Sequence, residues 1–192
     1  MRYDAVQFGA AVYPHLEKNP VPPDKLLYHS KHLVERALLV DPNPAILGER
    51  WIPGDWVVDC CAWGPKDDSA RFYIPRGNGR HPGDGDGLRW ELASLEPQRE
   101  NCAETIVRTK TFRSLAKEHG ISSIDRLIVD VEGFDDRLIM DVLHSWMPFP
   151  KSIFWEYGGL PNGRRDKIMY ELSGVGYFHT TLDNLNRVSI LR

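Results

Sequence analysis

Leu127-Ile128-Val129-Asp130-Val131-Glu132-Gly133-Phe134-Asp135-Asp136 is the stretch whose reading decides the fold of this chain. Four of its first five residues are apolar, as in a strand buried within a parallel sheet, and a glycine closes the run before a helical pattern starts. Side chains alternate along a strand, so Asp130 and Glu132 are expected on one face and Val131 on the other. Both acids fall at the carboxyl end of the strand, the edge at which open α/β sheets bind their ligands. Carboxylates held there cost stability unless something pairs with them or uses them. The stretch therefore reads as a candidate site.

Strand-like and helix-like patterns alternate on either side of it, which predicts an α/β sandwich with a mostly parallel seven-stranded sheet. Ala5 to Gly9 reads as a first strand, Asp24 to Ala37 as a helix, Ala37 to Asp41 as a second strand and Ala45 to Glu49 as a short helix. Trp56 to Cys61 is a third strand, and Ala70–Ile74 and Glu104–Thr109 are short additional ones. Thr111 to His119, closed by Gly120, reads as a helix with a glycine C-cap. The key strand is placed at 127–131, followed by a helix from Asp135 to Trp146, a strand from Ser152 to Tyr157 and a helix from Asp166 to Leu172. Tyr177–Thr181 and Arg187–Leu191 form an expected carboxyl-terminal antiparallel pair. Residues 75–90 hold five glycines and two prolines, a loop signal that suggests an insertion or lid. With no internal linker, residues 1–192 are expected to form one domain.

Composition narrows the partners. The net charge of −3 gives no basic footprint for nucleic acid. Arg108, Lys110, Arg113 and Lys117 cluster locally, but Glu104 and Glu118 flank them, as on a solvated face. No apolar run approaches the roughly 20 residues that cross a bilayer, and the first residues enter a strand without the apolar core of a signal peptide. Cys60, Cys61 and Cys102 form neither a disulfide framework nor a zinc spacing. A soluble cytoplasmic protein with reduced thiols is expected.

Asp41, Asp59 and Asp130 each stand at or near the carboxyl end of a strand, and the first strand ends in Gly9. In a doubly wound sheet these tips converge on the crevice where the strand order reverses. A glycine there lets a ligand approach the backbone, and an acid on the second strand can accept both hydroxyls of a ribose. G-x-G-x-x-G is absent, so the pattern points to a nucleoside without the pyrophosphate loop.

Val6-Gln7-Phe8-Gly9-Ala10-Ala11, Leu39-Val40-Asp41-Pro42-Asn43-Pro44, Val58-Asp59-Cys60-Cys61-Ala62-Trp63 and Ile128-Val129-Asp130-Val131-Glu132-Gly133-Phe134-Asp135 together resemble the motifs of the FkbM-like family of S-adenosylmethionine-dependent methyltransferases. That family's corresponding segments read V-Q-I-G-A-N-D-G, V-E-P-N-P, a third-strand motif with alanine, and K-I-D-V-E-G-x-E. The resemblance covers nearly the whole chain and implies the Rossmann-like class I methyltransferase sandwich, with S-adenosylmethionine as cofactor. It departs at Ala11-Val12-Tyr13, where the family has N-D-G, and at Ile128, where the family has lysine.

Carried onto this sequence, the resemblance implies that Gly9 and Ala10 line the methionine end of the cofactor, with Gln7 nearby. Asp41 would hold the ribose, and Asp59 to Cys61, Cys60 included, would border the adenine. Asp130 would lie beside the sulfonium and amino group, and Glu132 and Glu156 would face the acceptor, a hydroxyl on a sugar, glycolipid or similar polar metabolite. An alcohol needs its proton removed, and Glu132 is the first candidate base; it reads equally as a favourable charge at the start of the following helix. His144 and His179 are weaker candidates, since a lone histidine is more often structural. Asp41 before Pro42 also reads as a turn acid, and the cysteines read as small core residues. Two other function classes fit parts of the sequence. Asp130-Val131-Glu132 resembles the acid-x-acid device with which sugar-nucleotide glycosyltransferases hold Mg²⁺ or Mn²⁺, and a metal-assisted methyltransferase would draw on Asp130 or Glu132 and Glu156. The altered first motif also suits a degenerate, non-catalytic Rossmann domain.

Overall fold

The computed structural model describes residues 1–9, 33–48, 52–76, 93–97, 100–158, 160–182 and 186–192. The strands among these residues are β1 (Arg2–Phe8), β2 (Ala37–Val40), β3 (Val57–Asp59), β4 (Ala62–Trp63), β5 (Asp68–Pro75), β6 (Cys102–Lys110), β7 (Ser123–Val129), β8 (Ser152–Glu156), β9 (Tyr177–Thr181) and β10 (Asn186–Leu191). The helices are α1 (Phe112–Glu118), α2 (Asp135–Ser145) and α3 (Asn162–Gly174), with a 3₁₀ turn at Pro44–Gly48.

Seven strands form the main sheet in the order β3-β2-β1-β7-β8-β10-β9. β1, β2, β3, β7 and β8 run parallel, whereas β10 is antiparallel to both β8 and β9. The mostly parallel seven-stranded sheet with an antiparallel carboxyl-terminal pair is thus as expected. All four residues of β2 are buried, because a parallel sheet is covered on both faces. One face packs Phe8, Val40, Phe112, Leu115, Leu138 and Trp155 together with the side chains of α1 to α3. The other gathers Ala5, Ala37, Leu39, Ile46, Trp56 and Ile128. The chain order reverses between β1 and β7, which puts the switch point at the tips of those two strands.

Three expectations change. The strands expected near 70–74 and 104–109 do not join the main sheet; β5 and β6 pair antiparallel, with β4 beside β6, as a second sheet of three. Val34 to Arg36 are not helical, although the expected helix ran to Ala37. Asp4 Oδ2 accepts hydrogen bonds from the backbone of Glu35 and Arg36 at 2.9 and 3.0 Å, which holds this segment extended as it enters β2. The rest of that expected helix, the residues Ala11 to Tyr13 and most of the glycine-rich loop lie outside the described residues. Finally, β7 spans 123–129 and not 127–131.

Helix α1 shows how the layers are tied. Thr111 caps it by accepting from Ser114 N, and Asp141 of α2 accepts from Phe112 N at 3.0 Å. Phe112 is fully buried, with its ring 6.2 Å from that of Phe8 and 5.6 Å from that of Trp146. Among the described residues, no helix is long and apolar enough to cross a membrane. Phe112→Ala is expected to lower the unfolding free energy by about 3–5 kcal/mol, read from urea denaturation, because three elements meet on that ring.

Candidate functional site

The crevice at the switch point begins with a turn that only glycine makes comfortably. Gly9 has φ +76°, and a Cβ on it would lie 1.6 Å from the carbonyl oxygen of Asp130. The backbones cross-link here: Gly9 N donates to Val40 O at 3.0 Å and Asp130 N to Phe8 O at 3.1 Å. The three strand tips are thus drawn together, and the pocket opens directly beyond them. It holds about 600 Å³ of space, open solvent at its mouth included, and is lined by Phe8, Gly9, Val40, Asp41, Asp130, Val131, Glu132 and Phe134 from the main-sheet side. Its far wall comes from Cys61, Ala62 and Trp63 and from Phe72, Ala93, Ser94 and Leu95. Among the described residues most of this lining is apolar, three of its members are acids, and none is Lys or Arg.

Each acid has a distinct setting. Asp41 is buried, accepts from Asn43 N at 2.7 Å, and is pushed up to a pKa of about 7 by that burial. Glu132 lies beyond the end of β7, so strand alternation does not place it. Its φ of +48° is unusual for a side chain with a Cβ, and Gly133 follows with φ +86°. This left-handed turn is held from two sides: Ser94 Oγ donates to Glu132 O at 3.2 Å, and Arg164 of α3 donates to Gly133 O at 2.8 Å and to Asp136 at 2.8 Å. Asp135, fully buried, accepts from Glu156 N at 3.2 Å and more weakly from Val131 N at 3.4 Å, which joins the tips of β7 and β8. Burial, and then the neighbouring Asp130, push the Asp135 carboxyl well above the usual carboxylate range.

Of the residues singled out in the sequence, Gly9, Asp41, Asp130 and Glu132 come together at this pocket. Gln7 does not line it. It alternates with Phe8 and so turns to the opposite face, where its Oε1 is buried and has no hydrogen-bond partner among the described residues. Cys60 is replaced at the lining by its neighbour Cys61; the Cys60 thiol lies 3.6 Å from Pro42 O. Glu156 stands at the end of β8, outside the lining, with its carboxyl pushed up by burial. His179 is held between Ser173 and Ser189, and His144 is exposed on α2. Ala10 lies outside the described residues.

Asp59 departs furthest from its expected place beside the adenine. Its Oδ1 receives Arg108 at 2.7 Å, and its Oδ2 receives Lys110 at 2.7 Å and lies 2.8 Å from His119 Nε2. Burial opposes the charge, but the hydrogen bonds from Lys110 and His119 outweigh it and hold the carboxyl at a pKa of about 2. Lys110 is itself buried and also reaches Glu118 at 2.5 Å, so this basic cluster is not a solvated face. The ligand atoms of Asp59, Glu118 and His119 lie close enough to share a metal, yet the Lys110 ammonium already bridges both carboxylates. No third His, Cys, Asp or Glu among the described residues converges in this way on Asp130 and Glu132.

The sequence reading missed the far wall. Phe72 and Ser94 line the pocket because Tyr73 and Ser94 pair through two backbone hydrogen bonds, at 2.8 and 3.0 Å. The only sequence signal for this wall was the alternation in Ala70–Ile74. Trp63 also lines the pocket, its indole donating to Asp141 at 2.9 Å. Gly9→Ala is expected to lose at least about 2 kcal/mol of stability in urea titration, from the positive φ and the blocked approach to Asp130.

The profile of the methyltransferase FkbM domain matches residues 23–182. Among solved structures, methyltransferase FkbM from Methylobacillus flagellatus KT is similar at 11% sequence identity, with a TM-score of 0.48. The similarity covers 99% of this chain and 44% of that one, so the chain spans less than half the length of that protein. No curated protein matches. The matched profile includes the tips of β2 and β7 and the acids that line the pocket, and by it the chain belongs to the methyltransferase FkbM domain family.

Proposed function

We propose that this protein is an S-adenosylmethionine-dependent methyltransferase that acts on a hydroxyl of a small polar acceptor such as a sugar or glycolipid, with residues 1–192 working as one methyltransferase-like domain. The observation that carries the reading is an apolar crevice at the sheet switch point, lined by Asp41, Asp130 and Glu132 and, among the described residues, by no basic side chain. Such a lining suits a ligand that combines an apolar ring, a diol and a positive charge. S-adenosylmethionine supplies a methyl group already activated by its sulfonium, and this chain's residues then have mainly to position and to move one proton.

Asp41 accepts the ribose hydroxyls, and Asp130 favours the positive end of the donor. The apolar wall of Ala62, Trp63 and Phe72 provides the surface for an adenine ring. That role does not fall to Asp59, whose two oxygens are taken by Arg108, Lys110 and His119. Glu132 takes the acceptor proton, on a turn fixed by Ser94 and Arg164. Glu156 stands behind it, joined to the same turn through Asp135.

Calorimetric titration with S-adenosylhomocysteine is the direct test. Saturable binding is expected in the wild type, with a loss of at least about 100-fold in Asp41→Ala and in Asp130→Ala; unchanged affinity in both would sink the assignment. Binding should also depend on pH with a fixed sign. The ligand-free Asp41 carboxyl is protonated below about 7, whereas ribose hydroxyls donate to the ionised form. Affinity should therefore rise by up to about tenfold per pH unit from pH 5 toward 7 and level off above it, and Asp41→Asn should flatten the profile. Glu132→Gln is expected to keep affinity for the cofactor product within a few-fold while turnover falls by about 10²–10⁴, which a single-turnover methylation assay reads.

A further inference from the structure

At the carboxyl end of β8, two arginines converge on one ring. Tyr157 directly follows β8. The guanidinium carbon of Arg187, from β10, lies 3.9 Å from the centre of its ring, and that of Arg165, from α3, lies 4.7 Å away. Arg187 pairs in register with Trp155, so its side chain shares the face of the sheet that carries Trp155 and Tyr157. Arg165 donates to Gly158 O at 2.5 Å and to Asn162 Oδ1 at 3.4 Å. Among the described residues neither guanidinium forms an ion pair, and the buried Nε–H groups of both find no acceptor there. Two like charges on one partly buried ring repel each other, and nothing in the surrounding described chain answers them. Glu156, the adjacent residue, is not that answer: its carboxyl is shifted up by burial alone, with no lowering by a cation.

The position ties this cluster to the proposed chemistry. Tyr157 follows Glu156, whose backbone is bound to Asp135, and Asp135 also takes the backbone of pocket-lining Val131. Arg164, next to Arg165, holds the turn that carries Glu132. A planar guanidinium presents paired donors that match a carboxylate or a phosphate, and a second cation beside it strengthens the match. We propose that Arg187, assisted by Arg165 across Tyr157, binds an oxyanion on the methyl acceptor, so that the acceptor is an anionic hydroxyl compound bearing a carboxylate or a phosphate. This inference rests on the methyltransferase reading of the crevice.

The test titrates inorganic phosphate and, separately, malonate into the whole protein at constant ionic strength set with chloride, following the Arg Nε–Hε signals by NMR. Saturable shifts of the Arg165 and Arg187 signals are expected, and the anion that binds tighter names the group on the acceptor. Arg187→Gln should weaken that binding at least tenfold, and Arg187→Lys, which keeps the charge without the fork, should fall between the two. If Arg187→Gln does not fold, Arg187→Lys and Arg165→Gln carry the comparison. Absence of saturation with both anions, or affinity unchanged in every variant, overturns the proposal and leaves the arginines as packing for β10 and α3. S-adenosylhomocysteine titrated in parallel separates the two readings. Cofactor binding without anion binding overturns only the anion site. Anion binding without cofactor binding overturns the acceptor role, and the methyltransferase reading with it.

Discussion

Everything at the crevice depends on how closely the tip of β1 approaches the tip of β7. Gly9 turns with φ +76° at a place where any Cβ would overlap the Asp130 carbonyl, and two backbone hydrogen bonds lock the neighbouring tips into register. This constraint fixes where Asp130 and Asp41 stand relative to each other before any ligand is considered. It also explains why a glycine, and not merely a small residue, ends β1: the conformation and the clearance both require it. The acids are then held at a rigid sheet edge, and the turn that carries Glu132 is braced separately by Ser94 and Arg164.

The two groups of acids in this molecule follow opposite electrostatic logic. Asp59 is buried among Arg108, Lys110 and His119, and its charge is satisfied internally. Breaking such a set leaves an uncompensated charge in a place of low polarity, so its contribution is to hold β3, β6 and α1 in a fixed relation. Asp41 meets burial, among the described residues, with a single backbone donor and is held closer to its protonated form. An acid satisfied from within has little left to offer a ligand, whereas one that is buried and under-satisfied gains from a ligand's hydroxyls. That difference separates the scaffold from the candidate site more sharply than proximity in sequence does.

The parallel core was legible because its strands are short apolar runs and its tips carry glycine or acids. Asp41 and Asp130 could be placed from those runs alone. What was not legible depended on contacts distant in sequence. Asp59 looks like Asp41 in its local setting, and nothing near it announces that Lys110 and His119 will close upon it from β6 and the end of α1. Glu132 was placed by alternation, but β7 ends at Val129, and the left-handed turn beyond it takes its shape from Ser94 and Arg164. Gln7 shows the narrowness of the rule: one step along β1 moves a side chain from the pocket to the opposite face.

The far wall of the crevice belongs to a different sheet from its floor. The floor is made of strand tips locked by Gly9, while Phe72 and the residues around Ser94 hang on the β5–β6 ribbon, whose pairing is antiparallel and separate from the main sheet. Changes of side chain along that ribbon can therefore reshape the mouth without disturbing the donor end. The molecule is divided into an invariant bed and an exchangeable jaw, and descendants of such a scaffold can diverge in what they accept while keeping a common chemistry.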